Sequence, residues 1–329
     1  MTRPNHRPSM RDVARVSGVS LKTVSRVINN EAHVDAKTAA RVNDAIQAIG
    51  FRRNDIARQL RQGVSTSTIG LVIEDIANPF YSQVARGVEI VARQRGSLVM
   101  TGSSEEDGER ERELVQSLLE RRVDGLIIVP SASDHGYLNS EKRHGTPIVF
   151  IDRPPAHLSA DTILLDNRAG AKRGVQHLLD LGHTRIAFIG GYPQVYTGAE
   201  RYSGYCEALR DAGIALDSSL VKHDRHDLER ASIATAELLE DSRPPTAIFA
   251  SSNRQSLGVI HALFGLGKSL AVVGFDDFEL AAILPIRVTV IRHDPVELGR
   301  CAAEMLFKRI DGAQTPIEAM ILPVELIAR

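Results

Sequence analysis

Met10 to Asn29, MRDVARVSGVSLKTVSRVIN, is the stretch on which the reading of this chain turns. It reads as two short helices joined by a tight turn. Ser9 can cap the first helix, and Asp12 three positions on completes a capping-box pattern. Gly18 permits the left-handed geometry that ends that helix, and Ser20 can cap the second. On the second helix Val24, Val27 and Ile28 share one face at helical spacing. Lys22, Ser25, Arg26 and Asn29 share the other, with Leu21 at the exposed amino end. One face is therefore apolar and the other carries donors. In a helix-turn-helix such a second helix lies in the major groove, and its first residues reach base edges.

The literal sequence says more than the pattern. The stretch resembles the amino-terminal signature of the LacI/GalR family of bacterial transcription regulators, close to DVA-x-x-x-GVS-x-x-TVSR-x-[IL]-N. Asp12-Val13-Ala14, Gly18-Val19-Ser20, Thr23-Val24-Ser25-Arg26 and Asn29 all match in register. The resemblance implies DNA contacts from Leu21, Lys22, Thr23, Ser25, Arg26, Asn29 and His33. Lys22 and Arg26 would read base edges, with Leu21 against an apolar group such as a thymine methyl.

Charge divides where the motif leads one to expect. Residues 1–63 hold 12 Lys+Arg against 5 Asp+Glu, a charge of +7, while the remainder carries −8. A basic head on an acidic body is the footprint of a nucleic-acid-binding module carried by a separate domain. With 329 residues and 43% hydrophobic content, two or three domains with sizeable cores are expected. Cys206 and Cys301 are too few and too far apart in sequence for a disulfide framework or a Cys-rich metal site. The start, MTRPNHRPSM, lacks the apolar run of a signal peptide, and no stretch approaches the length of a membrane span. The expected location is cytoplasmic, with no membrane partner. This also argues against an exported solute-binding protein.

Residues 1–9, basic and interrupted by proline, are expected to be a disordered tail, followed by the helix-turn-helix domain over 10–53. Asp35 can cap a third helix that buries Val42, Ile46 and Ile49 and stops at Gly50. Residues 54–63 can form about two helical turns from Asn54, too short to hold alone in water, before a Ser/Thr-rich joint to residue 68. By resemblance this is the family's hinge helix, ordered on DNA, with Leu60 wedged into the minor groove.

From Ile69 short β-branched runs alternate with amphipathic helices. Strands are expected at 69–73, 98–101, 125–129 and 148–151, then at 162–165, 185–189, 247–250 and 270–273. Helices fall between them, near 81–95 and 109–121 in the first series. Those of the second lie near 168–181, 201–212, 228–239 and 255–264. Two such series imply two doubly wound parallel sheets, with ligands beyond the carboxyl ends of the strands. Asn78-Pro79-Phe80-Tyr81, the Leu181-Gly182-His183 turn and Val273-Gly274-Phe275-Asp276-Asp277 are further landmarks of the resemblance. They imply a periplasmic-binding-protein-like core over 69–329. Lobe one is expected near 69–159 and 292–317, and lobe two near 160–291 and 318–329, with three crossings between them. The segment 295–311 should return to lobe one.

The same landmarks nominate effector contacts: Asn78, Phe80, Tyr81, Asp152 and Arg153 from lobe one, and Arg201, His226, Ser252, Phe275, Asp276 and His293 from lobe two. A buried carboxylate needs a partner, so Asp152 and Asp276 require Arg or ligand hydroxyls nearby. Arg201, in an R-x-x-G pattern with Gly204, offers a planar fork of donors. Aromatic faces suit a sugar or a flat base. Two departures from the family pattern stand out. Ser252-Asn253 replaces the usual Asn-Asp, losing or displacing one amide, and the stretch 263–270 is several residues shorter than usual. His223-Asp224-Arg225-His226-Asp227 matches no standard zinc spacing and reads as a loop entering a helix at Asp227. Gly190-Gly191 makes no dinucleotide fingerprint, and nothing groups Ser, His and Asp as a triad. No cofactor, metal or catalysis is expected.

The reading is a sequence-specific repressor, binding a pseudo-palindromic operator as a homodimer and controlled by a sugar-type effector in the interlobe cleft. The alternatives are a regulator answering to a purine or nucleoside, one answering to a protein partner, or a solute-binding protein. The final residues 323–329 read as a last strand, without the heptad helix that the family's tetramers append.

Overall fold

The computed structural model describes residues 8–28, 31, 34–51, 66–278, 281 and 286–329. The chain forms two compact units, Met1–Thr66 and Ser67–Arg329. Expectations that fall on 1–7, on Asn29, His33 and Leu60, and on the hinge segment 54–63 lie outside the described residues.

The first unit contains helices α1 (Met10–Ser17), α2 (Leu21–Ile28) and α3 (Ala36–Ile49). The expected caps are present. The Asp12 carboxylate accepts from the Ser9 N–H (2.9 Å) and hydroxyl (2.7 Å), and the Ser20 hydroxyl accepts from the Thr23 N–H at 3.1 Å. Asp35 accepts from Thr38 N–H at 2.9 Å, and Gly18 and Gly50 end their helices at φ 65° and 63°. Val13, Val24, Val42 and Ala45 form the core, with Val27, Ile28, Ile46 and Ile49 packed on it. Arg41 donates to the Ser17 carbonyl at 2.6 Å and so ties α3 to the end of α1.

The second unit is built on two six-stranded sheets. The first has the order β11-β5-β4-β3-β1-β2. Its strands are β1 (Thr68–Ile73), β2 (Leu98–Ser103), β3 (Leu126–Ile128), β4 (Ile148–Ile151), β5 (Asp161–Leu165) and β11 (Ala319–Leu322). The second has the order β12-β10-β9-β8-β6-β7. It comprises β6 (Ile186–Ile189), β7 (Val221–Lys222), β8 (Ala247–Ala250), β9 (Ala271–Phe275), β10 (Val288–Arg292) and β12 (Glu325–Ile327). All pairings are parallel except β10 with β12. The central strands are buried, as parallel strands covered on both faces must be.

Lobe one carries helices α4 (Pro79–Gln94), α5 (Gly108–Glu120) and α6 (Asn139–Arg143). Lobe two carries α7 (Asn167–Asp180), α8 (Tyr196–Asp211), α9 (Leu228–Glu240) and α10 (Asn253–Gly265). The last helix, α11 (Pro295–Ile310), returns to lobe one against α4, as expected. There the backbones touch: a Cβ on Gly87 would sit 2.1 Å from the Val296 carbonyl oxygen, and one on Gly299 2.1 Å from that of Val84.

The lobe boundaries differ from the expectation at two places. The strand placed at the start of lobe two, β5, pairs with β4 in the first sheet (Val149 with Asp161, Phe150 with Thr162). Residues 319–322, assigned to lobe two, form β11 beside β5. Ile163 and Leu165 are buried and apolar and would suit either sheet. The hydrogen-bond ladder decides, and local sequence does not encode it. The three crossings therefore fall after β5, after β10 and after β11. β7, β10 and β11 were not anticipated; the first has only two residues.

Candidate functional site

On α2, Val24 is fully buried while Leu21, Lys22 and Arg26 are exposed and Thr23 and Ser25 half-buried. The amphipathic division read from the sequence is thus realised. Arg26 lies 3.8 Å from Glu31, an exposed pair.

In the second unit the strand ends of the two lobes enclose a cavity of about 110 Å³. Nine of the eleven nominated residues line it: Asn78, Phe80, Tyr81, Asp152, Arg153, Arg201, His226, Ser252 and Asp276. Phe275 and His293 do not. Phe275 is fully buried with its ring 3.7 Å beneath the Arg201 guanidinium, and the His293 ring nitrogen meets Asp276 at 2.9 Å from behind. Both support lining residues.

Two aspartates sit at matching strand ends. Asp152 follows β4 at φ 69°, its N–H donating to the Ile163 carbonyl at 2.9 Å. Asp276 follows β9 at φ 67°, its N–H donating to the Ile291 carbonyl at 3.0 Å. Positive φ is uncommon outside glycine, and aspartate is among the residues that tolerate it. Each turn aims a carboxylate at the cavity while the main chain stays paired.

The Asp276 side chain is gripped by Arg201 at 3.5 Å and by His293. Arg201 also donates to Asn167 Oδ1 (2.8 Å) and the Ser251 carbonyl (2.6 Å). Gly204, one turn further along α8, lets that helix close on α7; a Cβ there would lie 2.3 Å from the Arg168 carbonyl oxygen. This is the physical content of the R-x-x-G pattern: one residue reaches the cavity and the other admits the neighbouring helix.

In lobe one, Tyr81 donates to Asp152 Oδ2 at 3.1 Å, and the buried Asp152 Oδ1 has no hydrogen-bond partner among the described residues. Arg153 is held by Glu106 (2.6 Å from Nη1) and by the Pro130 carbonyl (3.0 Å). Glu74 approaches the same guanidinium at 3.8 Å. Burial, and then the neighbouring Glu106 carboxylate, push Glu74 up to about 7 against the charges of Arg153 and Arg254. Burial likewise raises the Asp152 carboxyl, against Arg153 and Arg201. Burial disfavours ionised Asp276 too, but the Arg201 charge and the His293 hydrogen bond outweigh it and hold the carboxyl below its ordinary value.

Glu74, Glu106, Tyr192, Thr197, Arg254 and Gln255 also line the cavity and escaped the sequence reading. Glu74 is the first residue past β1, and Glu106 and Tyr192 follow β2 and β6 closely, so the strand-end rule could have found them. The Ser252-Asn253 departure has a clear outcome. Ser252 lines the cavity, while the Asn253 amide turns away to donate to Asn78 Oδ1 at 3.0 Å, across the lobes.

The two histidines of the 223–227 run part company, although His226 stays 3.5 Å from Asp227. His226 stacks on Tyr192 with ring centroids 4.5 Å apart, whereas His223 packs against Phe188 and Tyr202. Asp227 caps α9 through the Arg230 N–H at 2.7 Å. Among the described residues no group of three or more His, Cys, Asp or Glu could hold a metal ion. No helix among them is long and apolar enough to cross a membrane.

Residues 9–54 match the model of the bacterial regulatory proteins of the lacI family, and residues 175–329 that of the periplasmic binding protein-like domain. The chain is 33% identical over 307 residues to the ribose operon repressor of Escherichia coli K12, covering 92% of this chain and 93% of that one. Its structure is similar to that of the Lac repressor bound to ONPG in the repressed state, with a TM-score of 0.84, 28% identity and coverage of 98% and 99%. It is also similar to the complex of the transcriptional regulator CelR with cellobiose, with a TM-score of 0.72, 30% identity and the same coverage. The helix-turn-helix, the two lobes and their order along the chain recur together across nearly the full length of these proteins. This chain belongs to the LacI family of bacterial transcriptional regulators.

Proposed function

We propose that this protein is a cytoplasmic repressor that binds a pseudo-palindromic operator as a homodimer and answers to a small, neutral, hydroxyl-rich effector held between its lobes. It acts by binding and not by catalysis, as its regulator relatives do. One helix-turn-helix reads only a half-site, so a dimer is needed to read both. Lys22 and Arg26 are the base readers, Leu21, Thr23, Ser25, Asn29 and His33 support them, and Leu60 opens the central step.

The observation that carries the effector reading is the charge balance of the cavity. Four carboxylates, Glu74, Glu106, Asp152 and Asp276, face three guanidinium groups, Arg153, Arg201 and Arg254. Each of the three is already engaged by a carboxylate. A phosphorylated ligand would need cations that this lining has committed elsewhere. A sugar needs acceptors for hydroxyls, donors for ring oxygens and an apolar wall. Asp152 Oδ1 offers the acceptor, and the rings of Phe80 and Tyr192 the wall. The ribose and cellobiose in the names of its relatives accord with this class. A nucleoside is the second reading, favoured by the parallel Tyr192–His226 stack, on which a base could lie.

The test is calorimetry with neutral mono- and disaccharides, sugar phosphates and nucleosides, followed by operator release with whatever binds. A neutral sugar is expected to bind and to change operator affinity. Binding by nucleosides alone rejects the sugar reading. For the head, Arg26→Ala should lower operator affinity by about 1–3 kcal/mol and relax preference at one base pair. An equal loss on every sequence would assign Arg26 to phosphate contact.

A further inference from the structure

The turn Ser252-Asn253-Arg254 lies at the amino end of α10. A cation on the second residue of a helix opposes the positive end of the helix dipole, and the first turn of α10 holds no acidic residue to offset it. Helix stability therefore does not account for Arg254. Its partners lie in the other lobe: Asp75, hydrogen-bonded to its Nη2, and Glu74, 3.9 Å from Nη1. Both acids follow β1 directly. Beside this pair, the buried Asn253 donates its amide to Asn78, whose Oδ1 also accepts from the Phe80 N–H at 3.1 Å and so starts α4.

The base of the turn is fixed within lobe two. The Ser252 hydroxyl bonds Gln255 Oε1, Gln255 donates to the Arg225 carbonyl at 2.7 Å, and Ser256 donates to the Ser252 carbonyl at 2.9 Å. On the opposite side, Asp75 accepts from the Ala77 N–H at 2.8 Å. Each half is anchored in its own lobe, so the contacts between the halves load on the relative position of the lobes.

We propose that Asn253 and Arg254 form a clasp with Asn78 and Asp75 that holds the two lobes closed over the cavity, so that an effector enters or leaves only when Arg254 releases Asp75. The clasp consists of protein contacts alone, so it goes beyond the effector reading and does not depend on which molecule binds. By favouring the closed state it raises the apparent affinity of any ligand that prefers that state, because less of the binding energy is spent on closure.

The experiment measures lobe separation in the full chain with no effector needed. Nitroxide labels are placed at Glu105 and Gln194, exposed residues beside the lining residues Glu106 and Val195, in a Cys206→Ser, Cys301→Ser background. The labelled protein is diluted with unlabelled protein and distances are read by pulsed EPR. Arg254→Ala and Asn253→Ala should each shift the distribution to longer distances. Arg254→Glu should shift it furthest, and Arg254→Glu with Asp75→Arg should restore the short distance. An unchanged distribution in Arg254→Ala overturns the clasp, as does a swapped pair that stays as open as Arg254→Glu. Circular dichroism of each variant confirms that it is folded before distances are compared. Since no effector enters the measurement, its failure would leave the sugar reading untouched, and a failed sugar screen would leave the clasp untouched.

Discussion

Asp152 ends β4 in lobe one and Asp276 ends β9 in lobe two, at the same place in the two strand orders and with nearly the same backbone angles. Their surroundings differ. Asp276 has a guanidinium in front, an imidazole behind and an aromatic ring beneath its Arg partner. Asp152 has a tyrosine hydroxyl, a guanidinium committed to Glu106, and one oxygen with no hydrogen-bond partner among the described residues. The same fold position thus stabilises a charge in one lobe and strains it in the other. Lobe two presents a finished ion pair to the cavity. Lobe one presents unmet acceptor capacity, which is what a ligand hydroxyl can satisfy.

The largest expected effect comes from breaking the finished pair. Arg201→Ala removes the guanidinium partner of the buried Asp276 carboxylate and strips donors from Asn167 and the Ser251 carbonyl. Loss of one partner of a buried pair typically costs about 3–5 kcal/mol. Urea unfolding at fixed protein concentration measures it, and a loss below about 1 kcal/mol would show that Asp276 does not depend on Arg201 for its charge.

Next is the pH response of lobe one. Glu74 is raised from 4.5 to about 7, so between those values the folded state binds more protons than the unfolded. Stability should fall as pH rises through that window, by at most about 3 kcal/mol, and stay lower above it. Glu74→Gln should flatten the fall. Asp276 acts with the opposite sign. Its lowered carboxyl contributes stability that is present above the ordinary carboxylate range and lost as pH drops through its folded value. Thermal melts of wild type and Glu74→Gln from pH 4.5 to 8 separate the two. A fall of equal depth in both proteins would assign the window to another group.

The smallest effect gives the sharpest comparison. Asp276→Asn removes the charge from hydrogen bonds worth about 1.5–3 kcal/mol when charge-assisted. Asp152→Asn removes a charge that burial already disfavours and should change stability by less than about 1 kcal/mol. Denaturation at pH 7 ranks them. Equal losses would mean that the two lobes treat their aspartates alike.

Local signals account for what the sequence by itself determined. The caps at Ser9, Ser20, Asp35 and Asp227, the glycine stops and the apolar face of α2 act over three or four residues, a distance that sequence spacing encodes. The nine lining residues were legible for a related reason: each follows a strand end or sits in a motif, and parallel strands deliver their carboxyl ends to one face. Tertiary structure alone decided the rest. β5 and β11 are apolar enough for either sheet, and only the ladders with β4 and β5 place them in lobe one. Phe275 and His293 look like cavity walls until burial puts them behind Arg201 and Asp276. Glu74, Asp75 and Arg254 carry no local signal in the sequence because their partners lie some 180 residues apart. The difference between Asp152 and Asp276 comes from the same source. A carboxyl's affinity for its proton is set by the groups within a few ångströms in space, and for these two residues nearly all of those come from elsewhere in the chain.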